Sequence, residues 1–533
     1  MTVNEQDLRE LLRTGFQALT QGNIDRASQC CRQALAIQPD LPQAHFLVGL
    51  TALQAQDRKT AFQAFGSVTT LDPNHGAAWA QLARLFMNEG QVVRADAALT
   101  EAVKTSSNDP MVHDLIGTVY SLIGEFDAAG KSFETAVSQQ PRHPPFLLNL
   151  ANNLVYRGYT DKAVATIEYL LSIQPNSPQA HWVLANTRRA RDDAHIATMR
   201  QFLSTDQLSP RARAFYAYAI GKELEDLEEW EAAFDAFEIG ARDRRSTVEF
   251  DEAAEVQMFE DLQKTFTTDW LAQAGPGCEA SGPIFVVGQP RTGTTLIERI
   301  ISSHSQVKSA GELQQLSLAV RRLSDYRDPK RFSSAFFASA AALEPAKLGQ
   351  LYLDTTGKQR GDADWFVDKL PQNYLMIPLI LAALPNAKIV HIQRDPMDAC
   401  FASYKQLFAD AYLHSYDQQE MARHHARYLQ LMAVWRRRFG DRFIDISYED
   451  TVQNLEPNAR RLIEFLGLDW QPACLAFHEQ NSAVSTASAV QVREPAHSRS
   501  VGRWRRYARQ LTPMAAILTE LNDTPIERKH TDF

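Results

Sequence analysis

Residues 10–200 repeat themselves every 34 positions, which commits that stretch to a stack of like units. Pro39, Pro73, Pro141 and Pro175 fall on one 34-residue lattice, and Ser107 occupies the remaining point. Ala27, Ala61, Ala95, Ala129 and Ala163 repeat in the same phase, each followed four residues later by an apolar residue: Cys31, Phe65, Leu99, Phe133 and Ile167. Another pair of columns reads Val48-Gly49, Leu82-Ala83, Ile116-Gly117, Leu150-Ala151 and Leu184-Ala185. Gly22, Gly90, Gly124 and Gly158 mark a turn between helices. Small residues at fixed points let two helices approach closely, and a proline closes each unit.

This pattern resembles the tetratricopeptide repeat and implies an all-α solenoid. A further unit restarts near Pro210, where Gly221 and Ala233 repeat the 12-residue step and Phe237 follows; residues 188–208 lose the phase. Such arrays present a concave face to extended peptides. A rigid spacer or a dimerisation surface is the other use. The acidic run Glu223 to Glu231 reads as a solvated helix face. The breaker-rich stretch Ala274 to Pro283 divides the chain into a repeat array over 1–273, a linker over 274–283 and a second domain over 284–533.

The second domain opens with a buried-strand pattern, Ile284-Phe285-Val286-Val287, followed by Gly288-Gln289-Pro290-Arg291-Thr292-Gly293-Thr294-Thr295 and a helical run. A strand turning through two glycines into a helix N-terminus offers free N–H groups and the positive end of the helix dipole, which together bind phosphate. The triphosphate version of this loop has lysine where Thr294 stands. Without that point charge, ATP or GTP hydrolysis is not expected. Arg291 inside the loop supplies a cation instead.

The string Pro290 to Leu296 resembles the phosphosulfate loop of sulfotransferases, which use 3′-phosphoadenosine 5′-phosphosulfate (PAPS). Arg394 ends the strand pattern Ala387 to Ile392, and Ser403 lies nine residues on. The two resemble the family's 3′-phosphate element, and a guanidinium fork with a neutral hydroxyl suits phosphate oxygens. The resemblance implies an α/β P-loop-like domain with a parallel sheet, having strands near 284–287, 365–368, 388–392 and 443–446.

Further places match. Gly311-Glu312 is similar to the segment that carries the general base in tyrosylprotein sulfotransferases, although Leu313 stands where those enzymes have Glu-Thr. Asp368-Lys369-Leu370-Pro371 is similar to the family's K-x-P element, so the resemblance implies that Lys369 and Arg291 stabilise charge on the departing phosphate. It implies cofactor contacts from Gly288, Pro290, Arg291, Thr292, Gly293, Thr294, Thr295, Arg394, Ser403, Tyr448, Ser488 and Arg503. Residues 493–509 hold six arginines and one glutamate, which suits an anionic ligand. His304 and His391 read as packing histidines. No metal is expected.

The composition is that of an ordinary globular protein, with 44% hydrophobic and 22% charged residues. A net charge of −9 argues against a nucleic-acid partner. Five cysteines without paired spacing suggest reduced thiols and a cytoplasmic setting. The most apolar run, Leu375 to Leu384, is short and holds Pro378, so no membrane span is expected. The sequence thus points to a PAPS-dependent sulfotransferase, protein tyrosine being the first acceptor to consider, with the repeats recruiting a protein or peptide. A carbohydrate or small-molecule acceptor, and a repeat scaffold with an inactive nucleotide fold, stand as alternatives.

Overall fold

The structure, a computed structural model, describes residues 3–105, 109–205, 208–280, 282–328, 330–408, 410–480, 482–484, 486 and 488–523. Ser107, Ser281 and Ala487 lie outside the described residues. Contacts divide the chain into two compact units, Met1–Asn153 and Leu154–Phe533. That division falls within the repeats, not at 274–283.

The first unit pairs helices: Val3–Thr20 with Ile24–Ile37, Pro42–Gln54 with Arg58–Leu71, Gly76–Asn88 with Val92–Lys104, and Pro110–Ile123 with Phe126–Gln139. The alanine column is the reason they pack closely: Ala27, Ala61, Ala95 and Ala129 are wholly buried. Glycines in the neighbouring column make room for aromatic rings. A Cβ on Gly49 would lie 2.5 Å from Phe65, and one on Gly117 would lie 2.6 Å from Phe133. Where the column has Ala83, the facing column has the smaller Leu99. Polar caps start second helices, with Asn23 accepting from the Arg26 N–H and Asp57 from the Thr60 N–H. Proline at the first helical position opens Pro42–Gln54 and Pro110–Ile123, a column the closing prolines had masked.

The second unit carries on the helical pattern through Thr160–Ile173, Pro178–Thr187, Ala194–Leu203, Pro210–Asp226 and Trp230–Arg245. The phase is lost because Pro178–Thr187 and Ala194–Leu203 run only 10 residues each. Gly221 against Phe237 restores the glycine–aromatic contact at 2.6 Å.

The rest of the unit is built on five parallel strands: β1 Pro283–Gly288, β2 Val307–Gly311, β3 Trp365–Asp368, β4 Lys388–Gln393 and β5 Phe443–Ser447, in the order β2-β3-β1-β4-β5. Central β1 is buried along its length, as its unbroken apolar run requires. β2 is the strand the sequence did not reveal. It is an edge strand with only Val307 buried, so it lacks the apolar signal of its neighbours. The apolar run at 375–384 forms the tail of a 3-10 turn and the buried helix Ile377–Ala383. No described helix is long and apolar enough to cross a membrane.

Candidate functional site

Because all five strands are parallel, their carboxyl ends share one side of the sheet, where ligands of α/β folds gather. Each end hands over to a residue singled out by the sequence. β1 ends in Gly288 and its loop, β2 precedes Glu312, β3 precedes Lys369, β4 precedes Arg394, and β5 precedes Tyr448.

The loop turns twice through the left-handed region. Arg291 has φ +65° and Gly293 has φ +98°. Gly293 caps the helix Thr294–Ser302, and the Tyr448 ring lies over it, so that a Cβ there would stand 2.5 Å from the ring. Thr292 Oγ1 donates to the Gln289 carbonyl at 2.8 Å and closes the turn. Thr294 and Thr295 are buried at the helix start, with Thr295 Oγ1 3.4 Å from Thr486 Oγ1. Ser403 Oγ donates to the Pro290 carbonyl at 3.3 Å.

Arg291 reaches out of the loop, donating to Ser488 Oγ at 2.5 Å and to Gln491 Oε1 at 3.0 Å. Burial, with repulsion from Arg394, pulls its pKa down to about 10. Arg394 holds two pieces of backbone together, donating to the Arg291 carbonyl at 2.6 Å and the Ser500 carbonyl at 2.7 Å. Its guanidinium stacks 4.7 Å from the Tyr448 ring centre. Its buried Nε has no partner among the described residues. Arg291, Gly293, Arg394, Tyr448, Ser488 and Arg503 line one cavity of about 740 Å³.

Lys369 and Glu312 do not line that cavity; they meet each other. Lys369 Nζ donates to Glu312 Oε1, across the ends of β3 and β2. Glu298, on the helix that follows the loop, stands 3.9 Å from the same ammonium and accepts from Ser309 Oγ at 2.6 Å. Burial raises the Glu298 pKa, against the pull of Lys369. The sequence reading missed Glu298, because a glutamate on a helix ordinarily points to water. It also missed the surroundings of Glu312, where Tyr156, Arg331 and Tyr412 lie within electrostatic reach. Arg331 Nε and one terminal nitrogen have no partner among the described residues.

Both histidines weighed from the sequence are tied down. His304 Nε2 donates to the Asp469 carbonyl at 2.8 Å while Nδ1 accepts from the Gln306 N–H at 3.3 Å. His391 lies 2.7 Å from Asp445 and 2.5 Å from the Tyr428 hydroxyl. The fold gathers a third group that no spacing showed: the ligand atoms of Glu255, His414 and His424 lie within 4.8 Å of one another. Glu255 Oε1 accepts from His424 at 2.9 Å, and Oε2 accepts from Arg427 at 2.6 Å. The two rings stack with their centres 3.5 Å apart at 13°, and both Nδ1 atoms face Glu255 Oε1, His424 at 2.9 Å and His414 at 3.6 Å.

Residues 283–472 match the family described as "Sulfotransferase family", and residues 52–118 match "Tetratricopeptide repeat". An uncharacterized protein of Aquifex aeolicus (strain VF5) is 29% identical over 73% of this chain and 52% of its own length. The protein-tyrosine sulfotransferase of Drosophila melanogaster is 26% identical over 37% of this chain and 40% of its own. Protein-tyrosine sulfotransferase 1 of Danio rerio is 25% identical over 42% of this chain and 65% of its own. The chain therefore spans about half the length of the relatives it matches. Among solved structures, the sulfotransferase domain from the curacin biosynthetic pathway aligns over 46% of this chain and 98% of its own, with 15% identity and a TM-score of 0.32. Residues 283–472 are thus a sulfotransferase-family domain, carried on a chain that also holds tetratricopeptide repeats.

Proposed function

We propose that this chain transfers a sulfuryl group from PAPS to an acceptor hydroxyl, that the first acceptor is protein tyrosine, and that the repeats recruit the acceptor protein. In this reading residues 284–533 do the chemistry, residues 1–273 the recruitment, and 274–283 link them. The observation that carries the reading is the meeting of Lys369 and Glu312 on the ligand side of the sheet, with Glu298 of the helix that follows the glycine-turned loop 3.9 Å from the ammonium. The names of the fly and zebrafish relatives favour tyrosine.

The residues fit a nucleotide with more than one phosphate. The cavity is rich in guanidinium groups, and Arg394 keeps a buried, unpartnered Nε. Arg394, Ser403 and Arg503 would hold the 3′-phosphate. Gly288 to Thr295 and Ser488 would hold the 5′-phosphate, with Tyr448 against the adenosine. Once bound, the donor supplies a sulfuryl group attached to a phosphate leaving group. Glu312 then takes the proton of the acceptor hydroxyl as its oxygen bonds to sulfur. Lys369 and Arg291 would meet the charge left on the phosphate oxygen as the sulfuryl group leaves it. No divalent metal is needed for this charge balance, so the rate is expected to survive EDTA.

Incubation with labelled PAPS and a panel of tyrosine peptides, glycans and phenols tests the reading. Label on the peptides supports it. Label only on glycans or phenols reassigns the acceptor, and label on none favours an inactive scaffold.

A further inference from the structure

The cavity is not walled by the sheet domain alone. Trp182, Lys222, Glu225 and Trp230 come from the helical segment between Pro178 and Arg245, and they face Arg291, Arg394 and Arg503. Among these, Glu225 is the odd group: a carboxylate only 7% exposed at the edge of an anion pocket. It lies in the last turn of the helix Pro210–Asp226 and accepts from three side chains. Lys405 Nζ donates to both of its oxygens at 2.8 Å, Arg503 donates at 3.0 Å, and the Tyr507 hydroxyl donates at 2.7 Å.

A negative charge in such a place repels the ligand, so its use must lie in what it does to the cations. Lys405 is half-buried beside Arg503 and Arg291, and the loss of solvent pulls its pKa down to about 8 against the upward pull of Glu225. Burial pushes Glu225 up, but Lys405 and Arg503 outweigh it and leave its pKa lowered. Arg503 gives Glu225 one terminal nitrogen, and its Nε is buried without a partner among the described residues. The loop that carries Arg503 is pinned from the other side as well. Asp398 accepts from the Gly502 N–H at 2.5 Å and the Trp504 N–H at 3.0 Å, and Arg394 donates to Ser500.

We propose that Glu225 is a positioning residue for the donor pocket: a carboxylate borne by the repeat helices holds Lys405 and Arg503 in place for the 3′-phosphate, so that those helices form part of the nucleotide site. The proposal rests on the PAPS reading. Lys405 becomes an added phosphate contact that the phosphate-loop motif does not include. A fixed cation loses less freedom on binding than a mobile one, and organised donors bind anions more tightly.

The test is calorimetry on the full chain with adenosine 3′,5′-bisphosphate and with AMP. The wild type is expected to prefer the bisphosphate. Glu225→Gln keeps the shape and removes the charge, and is expected to lower bisphosphate affinity at least tenfold while AMP affinity stays within about twofold. A mere loss of stability would weaken both ligands alike. Should Glu225→Gln fold poorly, Tyr507→Phe removes one anchor of the carboxylate and is expected to narrow the preference severalfold. An unchanged preference in the folded variant, or tighter bisphosphate binding, overturns the proposal and leaves the PAPS reading intact. A wild type without preference for the bisphosphate removes both.

Discussion

Lys369 and Glu312 are bonded to each other, ammonium to carboxylate, at the adjoining ends of β3 and β2. Lys369 is 1% exposed and has Glu298 as its second acidic neighbour. Lys369→Met would leave Glu298 buried with Ser309 as its remaining partner. An uncompensated buried polar group costs roughly 1–3 kcal/mol. The variant is expected to melt at lower temperature and to lose turnover. A variant as stable as the wild type would show that the ion pair contributes nothing to the fold.

The loop depends on Gly293. Alanine there would have to keep φ near +98° and place its methyl against Tyr448. The left-handed backbone alone costs an L-residue roughly 1–2 kcal/mol. Gly293→Ala is expected to lose nucleotide affinity as Tyr448 shifts, read by calorimetry. Retained affinity would mean that the Tyr448 ring is free to move aside.

Asp368 titrates within an accessible range. Burial raises its pKa from 3.8 to about 7, against a hydrogen bond from Tyr352 at 2.9 Å. Below pH 3.8 the folded and unfolded chains both carry it protonated, so it has no effect on stability there. As pH rises from there to about 7 the unfolded chain ionises first, and stability falls. Asp368→Asn removes this dependence. Its stability relative to wild type is expected to improve from pH 4 to pH 8, measured by denaturant titration. A difference independent of pH would contradict the burial argument.

In the repeats, Gln56 occupies the lattice point of the turn glycines and has φ +60°, beside Gly22 at +74° and Gly90 at +68°. Gln56→Gly is expected to raise stability by about 0–1 kcal/mol, the steric relief being partly offset by the added freedom of the unfolded chain. A clear destabilisation would show that the Gln56 side chain makes a contact of its own.

What the sequence showed followed from how strongly each element is constrained. The repeat columns were legible because burial leaves no choice at Ala27 or Ala61, and the central strands because β1 is apolar throughout. β2 was not, since an edge strand tolerates Lys308 and Ser309. The contacts between Lys369 and Glu312, and between Glu225 and Lys405, bridge 57 and 180 positions and leave no local pattern to read. Leu313 differs from the tyrosylprotein pattern and is itself 4% exposed, a core residue in this fold.

The most direct test of the account is sulfuryl transfer from labelled PAPS to a tyrosine peptide by wild type and Glu312→Gln, with nucleotide affinity measured on both. The amide keeps the size of Glu312 but takes no proton at neutral pH, and general-base assistance is worth about 10²–10⁴-fold in rate. The matched control is His304→Ala, which opens a buried site and is expected to lower stability more than the chemical step. The account predicts that Glu312→Gln loses turnover by that factor and binds nucleotide as the wild type does. Full turnover in Glu312→Gln, with activity lost in a folded His304→Ala, would contradict it.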